Sequence, residues 1–574
     1  MIKTFSSQIL LKNLIIILYT FFFYFSNKKY IPLTKIPFHY IIYITVTILK
    51  KENYAMKAAE VVAKCLKKEN ITTVFGYPGA AICAVYEAIE KEGINHILVR
   101  HEQNAGHAAN GYARVNNTPA VCIATSGPGA TNLLTSIATA YMDSIPVVFI
   151  TGQVSSDQIG RDVFQEADIT GASEPFIKHS FLVKEAASIP KIFKEAFILA
   201  GTGRKGPVLI DIPEDIAEEE IDFKYPEKLS IRGYKPTTKG NKLQLKRCAE
   251  AIAEAKRPLI CAGGGVLLSG ATEELYALSE KISAPIVTTM MGIGSLPTED
   301  ERNLGMIGRF GKEEANIAVN KCDLILFVGA RVGDRAVKSP TFIEKTTKII
   351  HIDIDPAEIG KNLTSDIPVV GDVKNILSAL YDVVSERNVP LWTTKKEDNK
   401  DKTFAEKLVK RVSEKLSEGG IFVSDVGNHL ITAANNVSLK KGARFFTSGG
   451  MGTMGYALPA SIGAYLASGK DTVAFIGDGA FQMSLQELAT IKQHNIPVKI
   501  IIADNSSLGM VRDYQKAKNL KEFAVSLDGS PDYLKLAEAY GIKSALVDEE
   551  SDIDEMLDNF LSAKEPFIIL CRTE

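Results

Sequence analysis

From Met56 onward, short runs of aliphatic and β-branched residues alternate with stretches in which apolar residues recur every three or four positions. The first pattern marks strands buried on both faces and the second amphipathic helices, so their alternation predicts parallel sheets covered by helices. Thr118 to Ala124 reads as a strand, Gly129 to Met142 as a helix and Pro146 to Thr151 as the next strand. The succession returns at Thr472 to Ile476, Leu485 to His494 and Val498 to Ala503, and Met56 opens an amphipathic helix, MKAAEVVAKCLKKENI. Two polar stretches rich in Pro or Lys, Tyr225 to Asn241 and Ser385 to Lys402, interrupt the alternation. They divide the chain into three α/β domains over 56–225, 242–384 and 403–574, each built on a doubly wound parallel sheet.

The first 55 residues follow another pattern. Phe, Ile, Lys, Asn and Tyr dominate them, arginine is missing and Glu52 is the single acidic residue. The apolar run Leu14 to Phe25 could be read as an anchor, but it falls short of the roughly 20 residues a spanning helix needs. The segment is poor in the Arg and Ser of transit peptides, and small residues do not follow its apolar run as at a secretory cleavage site. These residues are expected to be translated upstream DNA, because the enriched amino acids are those of A/T-rich codons.

Composition narrows the class further. At 574 residues the chain exceeds one core, and a net charge of -2 gives no basic surplus for nucleic acid. The seven cysteines form no CxxC pair and no disulfide framework, which points to a reducing cytoplasm. Neither a membrane nor a nucleic acid is expected as partner.

Three motifs carry chemistry. Gly477-Asp478-Gly479 ends an apolar strand, and Asn505 lies 27 positions beyond Asp478 at the end of the next strand. In a βαβ unit that spacing sets the two strand ends side by side at the carboxyl edge of the sheet, where ligands bind. A carboxylate and an amide oxygen there suit Mg²⁺, and Gly477 and Gly479 let backbone amides approach a diphosphate. A lone Gly-Asp-Gly would be a strand-terminating turn; the paired Asn argues against that. In Arg100-His101-Glu102-Gln103-Asn104-Ala105 a strand runs into a helix, and Glu102 could cap that helix or face a ligand. In Gly449-Gly450-Met451-Gly452-Thr453-Met454-Gly455 the glycines allow close approach and a flexible thioether can wedge against the bound molecule.

Together these motifs resemble the thiamine-diphosphate enzymes, over nearly all of residues 56 to 574. The resemblance implies Mg²⁺ on Asp478, Asn505 and the Ser507 carbonyl, although the usual Asn-Asn reads Asp504-Asn505 here. It implies that Glu102 is catalytic: it bonds N1′ of the aminopyrimidine, so that the 4′ nitrogen takes the C2 proton. It gives Met454 the task of propping the bent cofactor, and Gly427, Asn428 and His429 contact with the diphosphate, Asn428 standing where Gln is usual.

Within that family, Phe75 to Ala80, Thr125 to Asn132 and Asp162 to Asp168 look like substrate-facing loops of the acetolactate synthases, which join two 2-oxoacids with loss of carbon dioxide. Gly79, Phe164, Arg335 and Tyr514 are implied at the substrate and Gln165 at the reactive end of the cofactor; Phe164 could instead be a core aromatic and Tyr514 a surface one. The middle domain is similar to their FAD-binding domain, which implies a structural flavin on Arg204, Gly263, Gly264, Arg331, Arg335, Asp353 and Asp372. Each of these positions taken alone also fits plain α/β packing. Arg309, Phe310 and Gly333 depart from the usual pattern. The resemblance further implies a homodimer or higher homo-oligomer, with the Glu102 domain of one subunit facing the Asp478 domain of another, and a separate regulatory small subunit. A flavin-dependent 2-oxoacid oxidase and a nucleotide-binding regulatory paralogue are the rival readings.

Overall fold

The computed structural model describes residues 55–337, 340–396, 401–547 and 553–573. The expectation for the first 55 residues lies outside these, apart from Ala55.

Three six-stranded sheets, each parallel throughout, form the frame. The first contains β1 (Thr73–Tyr77), β2 (Asn95–Leu98), β3 (Ala120–Ala124), β4 (Val147–Gln153), β5 (His179–Leu182) and β6 (Val208–Pro213), in the order β2-β1-β3-β4-β6-β5. The second contains β7 (Pro258–Ala262), β8 (Ile286–Thr288), β9 (Asn303–Met306), β10 (Leu324–Val328), β11 (Lys348–Asp353) and β12 (Ile367–Val370), in the order β9-β8-β7-β10-β11-β12. The third contains β13 (Ile421–Ser424), β14 (Arg444–Phe446), β15 (Thr472–Gly477), β16 (Lys499–Asp504), β17 (Lys543–Val547) and β18 (Phe567–Arg572), in the order β14-β13-β15-β16-β18-β17. The first and third sheets therefore share one winding, whereas the second has the order of dinucleotide-binding sheets. The order reverses between β1 and β3, between β7 and β10 and between β13 and β15, and each reversal opens a crevice at the strands' carboxyl ends.

Six helices bear on the site: α1 (Glu102–Asn116), α2 (Leu134–Asp143), α3 (Asn428–Asn436), α4 (Ala457–Ser468), α5 (Glu487–Gln493) and α6 (Gly509–Ala517). The strands are apolar on both faces because helices cover both. One core runs from Phe75, Cys122 and Phe149 through α1 and α4 to Ala474, Ile476 and Ile500, and joins the first sheet to the third. At its centre α1 and α4 cross at backbone distance. A Cβ on Gly111 would stand 2.0 Å from the Ala460 carbonyl oxygen, and one on Gly463 would stand 1.8 Å from that of Ala108.

Two expected helices change at their ends. The helix expected over Gly129 to Met142 is divided into Pro128–Thr131 and α2, and the junction tightens to a three-residue bond from Leu133 N to Ala130 O at 3.0 Å. Asn132 sits in that junction, and its side chain reaches Glu102. Met56 and Lys57 pair with Ile221 and Glu220, so the first helix starts at Ala58. Among the described residues no helix is long and apolar enough to cross a membrane.

Candidate active site

The end of β2 and the start of α1 present Glu102. His101 is extended and caps α1, its Nδ1 accepting from Gln103 N at 3.2 Å, so the cap is not the glutamate. Glu102 Oε2 instead accepts from Asn132 Nδ2 at 2.9 Å. Its other oxygen faces Gly129, where a Cβ would stand 3.5 Å from Oε1 and 2.7 Å from Thr125 Cγ2. The missing side chain leaves a slot beside the carboxylate. Gly79 closes the same corner, since a Cβ there would meet Thr125 Cγ2 at 2.5 Å.

Gln165 lies against this loop. Gly127 has φ +57°, and a Cβ on it would stand 2.8 Å from Gln165 Cβ, so only glycine lets the two segments touch. Gln165 itself has φ 59°, an uncommon conformation for a residue with a side chain. The Glu166 carboxylate holds the turn by accepting from Gly160 N and from Val163 N. The structure therefore brings Glu102, Gly79 and Gln165 to one corner of the first sheet. Phe164, beside them, is 86% exposed and is not a core aromatic.

The second set gathers at the reversal between β13 and β15. Gly477 pairs with Ala503, so Asp478 stands beside Asp504, and Asn505, expected from the 27-residue spacing to lie beside Asp478, follows one residue further on. Asp478 is buried, among the described residues its Oδ2 has no hydrogen-bond partner, and burial, with the Asp504 carboxylate adding, pushes its pKa up to about 6. A buried carboxylate oxygen without a donor suits a cation. Asn505 Oδ1 accepts from Ser507 N at 3.1 Å, and Ser507 is buried. Gly509 is what lets the amides crowd here: a Cβ on it would stand 2.7 Å from Asn505 Nδ2 and 3.0 Å from Asn428 Nδ2. Among the described residues no set of three His, Cys, Asp or Glu side chains gathers as a metal site. The expected ligands, one carboxylate, one amide and one carbonyl, do not require such a set.

His429 lies between Gly427 and Gly477, where a Cβ on either would come within 2.8 Å of its ring. Burial lowers its pKa to about 4, so the ring is neutral and its Nε2 accepts from Gly477 N at 3.2 Å. Asn428 Nδ2 donates to Asp513 Oδ2 on α6 at 2.7 Å. Met454 reaches over Gly479, its Cε 3.6 Å from where a Cβ would stand. Tyr514 lies on α6 and is 55% exposed.

Two supporting residues escape a reading of the sequence. Asn132 was visible only as part of a loop. Asp425, at the end of β13, is fully buried and accepts from Val426 N (2.8 Å), Gly455 N (3.0 Å) and Ala457 N (2.8 Å), which ties the Met454 loop to the segment Val426-Gly427-Asn428-His429. A carboxylate one residue beyond the run Ile421-Phe422-Val423-Ser424, where the strand ends, was the available signal.

In the second sheet Gly263, Gly264 and Arg331 stand at the reversal between β7 and β10, and Asp353 ends β11 next to it. The glycines of that reversal pack on one another, a Cβ on Gly263 falling 2.1 Å from Gly329 O. Arg204 is held by Asp355 Oδ2 (3.0 Å) and Glu358 Oε1 (2.6 Å). Asp372 caps the helix Val373–Val383 and accepts from Ser269 Oγ at 2.8 Å. Arg335 stays apart, 73% exposed, with Asp334 at 3.6 Å. Strand order and loops fit a dinucleotide; Arg204 and Asp372 are engaged within the protein. Among the described residues no hydrogen bond joins the Glu102 set to the Asp478 set.

Comparison with known proteins matches three family models: "Thiamine pyrophosphate enzyme, N-terminal TPP binding domain" over residues 56–172, the "central domain" over 245–380, and the "C-terminal TPP binding domain" over 425–571. A probable acetolactate synthase large subunit of Methanocaldococcus jannaschii is 43% identical over 539 residues, 90% of this chain and 91% of that one. The acetolactate synthase large subunit of Buchnera aphidicola subsp. Acyrthosiphon pisum is 42% identical, covering 88% of this chain and 91% of the relative. That of Haemophilus influenzae is 41% identical, covering 87% and 92%.

Proposed function

Since the chain belongs to the thiamine pyrophosphate enzymes, and among them to the acetolactate synthase large subunits, we propose that it condenses two 2-oxoacids with loss of carbon dioxide on the residues described above. Two pyruvates give 2-acetolactate; pyruvate with 2-oxobutyrate gives 2-aceto-2-hydroxybutyrate. Both lie on the route to branched-chain amino acids.

Bound thiamine diphosphate supplies the nucleophilic carbon and the electron sink for decarboxylation. Asp478, Asn505 and the Ser507 carbonyl would hold Mg²⁺ with the diphosphate, and His429, Asn428 and the backbone at Gly427, Gly477 and Gly479 would receive that diphosphate. Met454, its loop fixed by Asp425, would support the bound cofactor. Glu102 would give and take a proton at Oε1, while Asn132 holds Oε2 and keeps the carboxylate turned toward the Gly129 slot. Gln165 and Gly79 border the reacting carbon, and Phe164, Tyr514 and Arg335 take the acceptor. The spans 56–225, 242–384 and 403–574 carry the pyrimidine, flavin and diphosphate functions.

Phe164 and Tyr514 leave large rings in water, and Glu102 and Asp478 sit at separate sheets. Both facts favour a homodimer in which a second copy completes each site. Gly263, Gly264, Arg331 and Asp353 would hold FAD, with Arg204 and Asp372 released from their internal partners to reach it. A regulatory subunit and a cytoplasmic setting complete the reading.

The observation that carries it is the buried Oδ2 of Asp478, which has no hydrogen-bond partner among the described residues. The test is to incubate the protein with pyruvate, thiamine diphosphate and Mg²⁺ and assay acetolactate. Acetolactate is expected; pyruvate consumed with bleaching of bound flavin, and no acetolactate, would assign an oxidase instead.

A further inference from the structure

We infer that Glu487 of α5, helped by Thr490, Gln493 and His494, is the positioning residue for Glu102. The inference rests on the proposed role of Glu102.

β2 is an edge strand, so every second residue turns an N–H and a C=O away from the sheet. Asn95 N and Val99 N bond toward β1, which leaves the even-numbered residues facing outward. Among the described residues no strand covers them. Side chains from the third domain do: Leu98 N donates to His494 Nε2 (3.3 Å) and Arg100 N donates to Glu487 Oε1 (2.9 Å), while the Leu98 carbonyl, 3.2 Å from Thr490 Oγ1, accepts from Arg100 Nη1 at 3.0 Å.

Glu487 does more than finish the edge. It is 0% exposed, and the same Oε1 accepts from Asn104 Nδ2 at 2.9 Å, while Oε2 accepts from Thr490 Oγ1 at 2.6 Å. One carboxylate thus grips the backbone two residues before Glu102 and a side chain two residues after it. Arg100 is pinned again where its Nη2 donates to Gln493 Oε1 at 2.6 Å. Residues 101 to 103 are strung between two fixed points, and the direction of Glu102 follows from them.

Packing alone does not call for this carboxylate. Glu487 lies on the buried face of α5 with Leu488 and Ile491, where an apolar side chain would fill the space without the cost of burying a charge. The donors at Arg100 and Asn104 are what give an acceptor its use here. Without it the turn into α1 is free to shift, and a displacement of about 1 Å at a reacting group costs on the order of 100-fold in rate.

The test reads the proton step directly. The holoenzyme with Mg²⁺ is exposed to deuterium oxide, quenched in acid, and exchange of the C2 proton of bound thiamine diphosphate is followed by proton NMR; calorimetry gives cofactor affinity. Glu487→Ala is expected to slow exchange about 100-fold with cofactor affinity and KM little changed. Glu487→Gln should restore most of the rate, because its amide oxygen accepts both bonds and its nitrogen can donate to Thr490. Gln493→Ala changes an exposed side chain, folds regardless of the core, and is expected to slow exchange several-fold. Wild-type exchange in Glu487→Ala, or in Gln493→Ala should the former not fold, overturns the inference when Glu102→Gln is slow. Wild-type exchange in Glu102→Gln would overturn the role of Glu102 itself, and the positioning role with it.

Discussion

Acid should loosen α1 through a single histidine. His107 lies on the buried face of α1, 0% exposed, edge-on to Tyr456 with ring centroids 5.4 Å apart. Among the described residues neither ring nitrogen has a hydrogen-bond partner. Burial, with a small contribution from His101, lowers its pKa from 6.5 to about 3. The folded value lies below the unfolded one, so the stability it contributes is complete above pH 6.5 and is lost as the pH falls toward 3. Between pH 7.5 and pH 5 an exposed histidine takes up its proton while the buried one does not, a difference of about 2 kcal/mol, or roughly 30-fold in the equilibrium of any opening that exposes the ring. Hydrogen exchange of the α1 amides, read by mass spectrometry and corrected for intrinsic rates, measures that opening. Wild-type protection should fall about 30-fold more than that of His107→Leu over this interval. His96 and His429 also have lowered pKa values, but both proteins carry them, so they cancel. At pH 7.5 the leucine variant should be at least as well protected, since it buries no unpaired nitrogen. Equal acid losses in the two proteins would refute the argument.

Asp478→Ala should fold and lose Mg²⁺-dependent binding of thiamine diphosphate in calorimetry; tight binding by that variant would place the metal elsewhere. Gly463→Ala drives a Cβ to 1.8 Å from Ala108 O and should cost about 1–3 kcal/mol in denaturant unfolding, whereas Gly333→Ala, with nothing within 4 Å, should be neutral. Tyr514→Trp should shift the product ratio toward the 2-oxobutyrate product when the two acceptors compete, within the roughly 1–3 kcal/mol that one methylene is worth. An unchanged ratio would remove Tyr514 from the acceptor pocket.

Local signals in the sequence were enough for the sheets and for the ends of their strands. The Asp478-to-Asn505 spacing comes within one residue because a βαβ unit has a nearly fixed length: Gly477 pairs with Ala503, which sets Asp478 beside Asp504 with Asn505 next. Glu102 was legible for a similar reason, standing where an apolar run meets a helix. What the sequence could not supply were partners that the fold brings together from far along the chain. Glu487 meets Arg100 across 387 positions, and its own neighbourhood, Leu485-Gln486-Glu487-Leu488, shows only a charge in an amphipathic helix. Arg204, expected at a flavin, has its guanidinium held by Asp355 and Glu358, and no local pattern forecasts those partners. The break at Asn132 is of the same kind: helical periodicity runs through it, and its side chain reaches Glu102.

The crossing of α1 and α4 has a consequence for how such a chain can change. Ala108 and Gly111 on one helix meet Gly463 and Ala460 on the other, the same Ala-x-x-Gly spacing on both sides and each glycine over the other's alanine. Reciprocal contact of this kind is what a two-fold axis produces between identical subunits, and here it joins two sheets of identical winding within a single chain. In a pair of identical subunits each substitution appears on both sides at once, so the two halves can never differ. Joined in one polypeptide, the halves mutate separately. One sheet edge can keep a lone carboxylate beside a glycine slot while the other gathers a buried carboxylate and an amide, provided both retain the glycine that lets the helices touch.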